Sequence, residues 1–302
     1  MFSEPPRHLS TARCRSYHGD MRPAEPVPAG IPAWDIAVPP RPSRLAGVTM
    51  AGFSDRANGL VKVEAIPPPA VVVVIGLGDE PIVVHDGYGQ QRRERIVAGL
   101  APYGVRGQGP AGSFECLQVR LSPVVAHTVL GAASELGGAI VALDDLWGHD
   151  AARIQEQLRA AASWSERFAI AEVVLARHQD TDRVVAPEIV YCWRQMVASR
   201  GRVRVERLAT EVGWTRQRLW SRFRSQIGIT PKRAAQLVRF DHAAHRLAAG
   251  QSTALVAADS GYADQSHLHR DIVAFAGVTP AAVAIAPFLA VDDVAWADRP
   301  TR

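Results

Sequence analysis

Apolar positions change period along the chain. Before residue 44 they show none; from 44 to about 120 they alternate or run together, as in strands; from Pro123 onward they recur three and four apart, as in helices. Residues 71–77 and 82–85 are two β-rich runs, and Gly76-Leu77-Gly78 with the residues after it read as the hairpin turn between them. Phe114 opens a further alternating run that ends at Leu121, where Ser122-Pro123 stops it. Short strands of this kind predict a small antiparallel barrel or sandwich. The helical pattern predicts elements over 150–162 and 163–178, and Ala186-Pro187 opens another that runs to about Ser199. A domain boundary therefore falls within 178–186. Residues 1–43 hold nine of the 21 prolines and read as a mostly disordered leader, with 34–38 the part able to enter the fold.

Residues 187–285 contain the pattern that carries most information, because it occurs twice. Ala209-x-x-x-Gly213 recurs 48 residues on as Ala257-x-x-x-Gly261. Leu219, Phe223 and Gly228-Ile229-Thr230-Pro231 recur 49 residues on as Leu268, Ile272 and Gly277-Val278-Thr279-Pro280. Thr215 and Asp264, each four before the repeated leucine, are helix N-caps, so the extra residue falls in the turn. Each copy reads as a helix-turn-helix. A short helix carries a small alanine, and a glycine takes the turn's positive φ. Trp214 or Tyr262 seals the core, and a second helix buries Leu219 with Phe223, or Leu268 with Ile272, on one face. Thr-Pro then starts another helix. The helix predicted over 231–250 is about 20 residues, or roughly 30 Å, long. Successive major grooves lie roughly 34 Å apart, so the spacing suits two reading helices on one face of a duplex. Ala234, Leu237, Ala244 and Leu247 form its apolar stripe, Lys232, Arg233, Arg239 and Arg246 lie largely elsewhere, and Gly250 is its left-handed cap.

These residues resemble the AraC/XylS family of bacterial transcription regulators. The carriers are the stretch 205–223, Gly228-Ile229-Thr230-Pro231-Lys232, and Gly261-Tyr262-Ala263-Asp264-Gln265-Ser266-His267-Leu268-His269-Arg270, within a similarity covering 186–283. Leu268 and Ile272 stand where the family usually has phenylalanines, and its aromatic-basic ending after Pro280 is missing. The resemblance implies two helix-turn-helix units joined by one long helix, and a separate N-terminal domain that senses a small molecule or dimerises. The expected fold is thus an α+β two-domain protein: a small β-barrel-like (cupin-like) sensor domain with helices over 44–180, an all-α domain over 187–285, and a tail over 286–302.

Charge sharpens this reading. The net charge is +4, and arginine abundance alone says little, but residues 201–285 hold 12 Lys+Arg against 6 Asp+Glu. The rest of the chain is slightly acidic, so the excess is confined to one segment, as in a polyanion-binding domain. With Leu219 and Phe223, and Leu268 and Ile272, buried, Arg216, Gln217, Arg218, Trp220, Ser221 and Arg224 on the first recognition helix, and Gln265, Ser266, His269 and Arg270 on the second, are the candidate DNA-binding residues. Trp220 is equally consistent with a core position. Gly213 and Gly261 are the turn glycines. Double-stranded DNA is the expected partner; RNA polymerase, a small-molecule effector and a second copy of the chain are the further partners such a regulator takes. No metal, cofactor or catalytic residue is expected. Cys14, Cys116 and Cys192 form no CxxC pair and fit a reducing cytoplasm; no run is long enough to span a membrane. Two other classes stand beside the regulator: a DNA-modifying or repair enzyme using the module for delivery through a reactive cysteine, and an architectural binder with little sequence preference.

Overall fold

Val71, Val73 and Ile75 turn inward while Val72 and Val74 stand half-covered, the period of two that makes 71–76 a strand. The computed structural model describes residues 34–55, 61–64, 66–78, 81–86, 89–102, 106–109, 114–131, 133–286, 289, 292 and 294–296. The leader's 1–33 and Cys14 lie outside these residues. The strands are β1 (Trp34–Ala37), β2 (Val48–Asp55), β3 (Val61–Glu64), β4 (Val71–Gly76), β5 (Ile82–Asp86), β6 (Gly89–Arg93), β7 (Arg95–Ala98), β8 (Arg106–Gly109), β9 (Glu115–Leu121) and, after two helices, β10 (Ile140–Ala142). They form two open antiparallel sheets, one ordered β1-β2-β9-β4-β7-β10 and the other β3-β8-β5-β6. Neither closes into a barrel.

The expected hairpin at Gly76-Leu77-Gly78 is not there. β4 pairs with β7 and β9, whereas β5 joins the other sheet, so the connection crosses between sheets. Its carbonyls are claimed from elsewhere: Gln155 Nε2 donates to Gly76 at 2.7 Å and Arg159 Nη2 to Gly78 at 2.8 Å. β10 likewise sits inside the stretch read as wholly helical, pairing with the edge of β7. β1 places 34–37 on the opposite edge, against β2.

Helices α1 (Pro123–Leu130), α2 (Ala133–Leu136), α3 (Asp144–Trp147), α4 (His149–Ala160) and α5 (Trp164–His178) cover the larger sheet. Ser122 and Ser163 cap α1 and α5 through their hydroxyls. Trp164 lies so close on β2 that a Cβ at Gly52 would come within 2.2 Å of its ring, which is why a glycine stands there. Asp144 and Asp145, which in sequence resemble a carboxylate pair, are structural. Asp144 bonds Arg95 at 2.9 Å and is held below the usual carboxylate range by it, and Asp145 accepts from the Ala142 N–H.

The helical domain comprises α6 (Pro187–Ala198), α7 (Val205–Glu211), α8 (Arg216–Ile227), α9 (Pro231–Ala248), α10 (Thr253–Asp259), α11 (Gln265–Ala276) and α12 (Pro280–Ala284). One buried apolar cluster runs unbroken from Val48 in the sheet to Val283 in α12. A second lies between the sheets and joins Ile36, Phe53, Val84, Ile96 and Cys116 to Ala295 and Trp296. Part of the segment set apart as a tail is therefore interior. Asp292 reaches Arg120 of β9 at 3.0 Å and His245 of α9 at 2.9 Å, and the Arg120 guanidinium stands 4.0 Å over the Trp296 ring. Among the described residues no helix is long and apolar enough to cross a membrane.

Candidate nucleic-acid interface

Both motifs are built by the same local chemistry. α7 and α10 end in a turn whose glycine has positive φ, +67° at Gly213 and +78° at Gly261. Thr215 and Asp264 then accept a backbone N–H three residues on, starting α8 and α11. Leu219 and Phe223 on α8, and Leu268 and Ile272 on α11, are wholly buried. Gly228 and Gly277 end the two helices in left-handed conformation, and Thr230 and Thr279 cap the next ones with proline in the first turn.

That burial orients everything else. Arg216, Gln217, Arg218, Trp220, Ser221 and Arg224 are all exposed on α8, as are Gln265, Ser266, His269 and Arg270 on α11. Trp220 is 46% exposed, with Arg224 5.4 Å over its ring, so it stands outside the core. Trp214 is only half-buried beneath Arg218, whereas Tyr262 seals its motif, buried and faced by Arg239 at 4.5 Å. Arg270 is steadied by Ser266, whose carbonyl accepts from its Nε at 3.3 Å. Helices of the sheet domain rest on α8: α1 and α2 pack against it, and Gln226 near its end accepts from the Ala186 N–H at 3.0 Å.

The connecting helix α9 has 18 residues and is thus about 27 Å long. Its arginines do not simply face solvent. Arg233 stacks 3.6 Å over Phe275, Arg239 pairs with buried Asp271 at 2.9 Å, and Arg246 bonds Asp259 at 2.8 Å. They brace the second motif against the helix, so part of the segment's positive charge is internal. Lys232 is exposed. Gly201 to Val205, Lys232, Gln236, Arg239 and His267 border a groove of about 360 Å³ between the motifs. His267 and the run Arg200-Gly201-Arg202-Val203-Arg204 were not among the residues singled out from sequence, although that charge run is visible there.

Cys116 and Cys192 are buried, which pushes both thiols up, Cys192 to about 11. They are held as thiols, not thiolates. Among the described residues no three His, Cys, Asp or Glu side chains gather as a metal site.

Residues 208–284 match a protein family described as a helix-turn-helix domain. Similar solved structures include ToxT from Vibrio cholerae at 1.65 Å resolution, 12% identical, with a TM-score of 0.44 over 78% of this chain and 96% of that one. ToxT from the same organism with an unsaturated fatty acid bound is 10% identical, with a TM-score of 0.46 over 82% of this chain and 97% of that one. The AraC-like transcriptional activator CuxR is 11% identical, with a TM-score of 0.32 over 68% and 80%. Comparison with curated proteins finds no match.

Proposed function

Starting from a C-terminal helix-turn-helix domain of the AraC type, we propose that this chain is a sequence-specific DNA-binding regulator of transcription. The observation that carries the reading is the duplicated motif with both recognition faces exposed: two capped helices, one anchored by Leu219 and Phe223 and the other by Leu268 and Ile272, turn glutamine, serine and arginine outward. Glutamine matches the adenine edge and arginine the guanine edge in the major groove, and either reaches phosphate. α8 and α11 then enter successive major grooves, with α9 as the spacer. The two-sheet domain takes the sensor's place, for a small-molecule effector, and RNA polymerase and a second copy of the chain are the protein partners of such a regulator.

The test is selection of duplexes from a random library by the full chain, followed by footprinting. Two protected major-groove segments centred about 10–10.5 base pairs apart are expected. One protected segment, with no effect of scrambling the other, overturns the two-motif arrangement, and binding without preference turns the reading toward an architectural protein. The delivery-module enzyme draws no support from Cys116 or Cys192, whose buried thiols lack the exposed, electropositive setting of a nucleophile.

A further inference from the structure

We propose that the groove between the two motifs is a phosphate clamp, in which Arg202, Arg204 and Lys232 hold the backbone of the bound duplex where it passes from one major-groove segment to the next. The inference rests on the DNA-binding reading above and adds to it the residues that position the duplex between its two reading helices.

The charge distribution carries it. Among the described residues no carboxylate lines the groove. Arg239, at its wall, is neutralised by Asp271 at 2.9 Å. The three cations on the rim are exposed, and among the described residues none has a carboxylate partner; Arg202 Nε reaches only the Ser199 carbonyl, at 3.3 Å. Three like charges that folding brings together without neutralising repel one another, and a polyanion relieves that repulsion while releasing its own counterions.

The backbone is shaped to hold them there. Gly201 has φ +72°, and a Cβ at this position would come within 2.1 Å of the Ala235 carbonyl oxygen, so only glycine lets the loop lie this close to α9. The stem of Arg202 crosses the second motif's turn, with its Cγ 3.1 Å from where a Cβ on Gly261 would stand. An arginine preceding the first motif is thus seated on the second.

Position selects DNA backbone as the occupant. Glu206 in the first turn of α7 pairs with Arg216 at the start of α8 at 3.3 Å, and His267 lies in the first turn of α11. The groove therefore lies between the N-terminal ends of the two recognition helices, the ends that reach base edges. A duplex engaged by both turns its minor groove toward it, flanked by the phosphates of both strands, and contacts to those phosphates fix register without reading sequence.

The experiment uses the full chain, its Arg204→Ala/Lys232→Ala variant, and a duplex selected from a random library by the wild type. The slope of log K against log salt is expected to shrink by about one for each cation withdrawn from a phosphate, so by about two. Affinity should fall by the same factor on the selected duplex and on one with a scrambled half-site. Neutral methylphosphonate linkages between the half-sites should weaken the wild type markedly and the variant, which keeps Arg202, by a smaller factor. A wild-type slope in the variant, or a loss confined to the selected sequence, overturns the clamp while the DNA-binding reading stands. A wild type that selects no duplex overturns both. Arg204→Gln and Lys232→Gln replace the alanines if circular dichroism shows lost helicity.

Discussion

Gly213 and Gly261 occupy equivalent turns but stand in different surroundings. Nothing lies within 4 Å of a Cβ built on Gly213, whereas one on Gly261 meets the Arg202 stem at 3.1 Å. Gly213→Ala should thus cost only the left-handed strain, about 1–2 kcal/mol, with the salt dependence of DNA binding unchanged. Gly261→Ala should cost at least as much and also lower that salt dependence by moving Arg202. Denaturant unfolding and binding at several salt concentrations separate the two; identical binding behaviour would show that Arg202 is not seated as described. His242 on α9 gives a pH prediction. Burial, with Arg200, Arg246 and Arg202 nearby and opposed by Asp241, lowers its pKa from 6.5 to about 4. The unfolded chain therefore binds this proton more readily than the folded one. The stability from neutral His242 is complete above pH 6.5 and is lost as pH falls toward 4. Melting temperature should fall across that window less steeply in His242→Gln than in the wild type. Equal slopes would remove His242 as a source of acid sensitivity.

Elements that repeat were the most legible in sequence. Caps, turn glycines and buried leucines of the two motifs are local and occur twice, so period and spacing alone place α7 to α12 close to their observed bounds. The strands were harder. A glycine-rich turn after Val71–Gly76 says that the chain bends, not which sheet receives Ile82, and β4 and β5 part company for that reason. β10 is three residues long, too short to show a period. The arginines of α9 look solvent-facing on a helical projection because their partners, Phe275, Asp271 and Asp259, come from the next motif. On α11, Arg270 points away from the Leu268–Ile272 face and is exposed. If it reads guanine, Arg270→Ala costs about 1–3 kcal/mol and relaxes preference at one base pair. A uniform loss across single-base variants, with a salt slope smaller by about one, would assign it to phosphate instead.

Across the whole molecule, the contacts that no periodicity reveals are those between residues far apart in the chain. Asp292 bonds Arg120 and His245, and Trp296 packs 6.2 Å from Phe53, so a segment that reads in sequence as a mere tail ties the sheet to the connecting helix. The Arg120–Asp292 pair is well shielded from solvent, where removal of one partner is far costlier than at a surface. This placement has a consequence for any molecule taken up between the two sheets. The indole of Trp296 already sits there, 3% exposed, and it belongs to the protein itself. A solute entering that space has to displace this indole, which its covalent attachment to the chain keeps at hand. Uptake is then an exchange, and its apparent strength is the solute's own affinity divided by the hold of the indole. Trp296→Ala should bind an apolar naphthalene sulfonate dye more tightly than the wild type while keeping its far-ultraviolet dichroism, and equal dye binding would show that the space is not held by this indole.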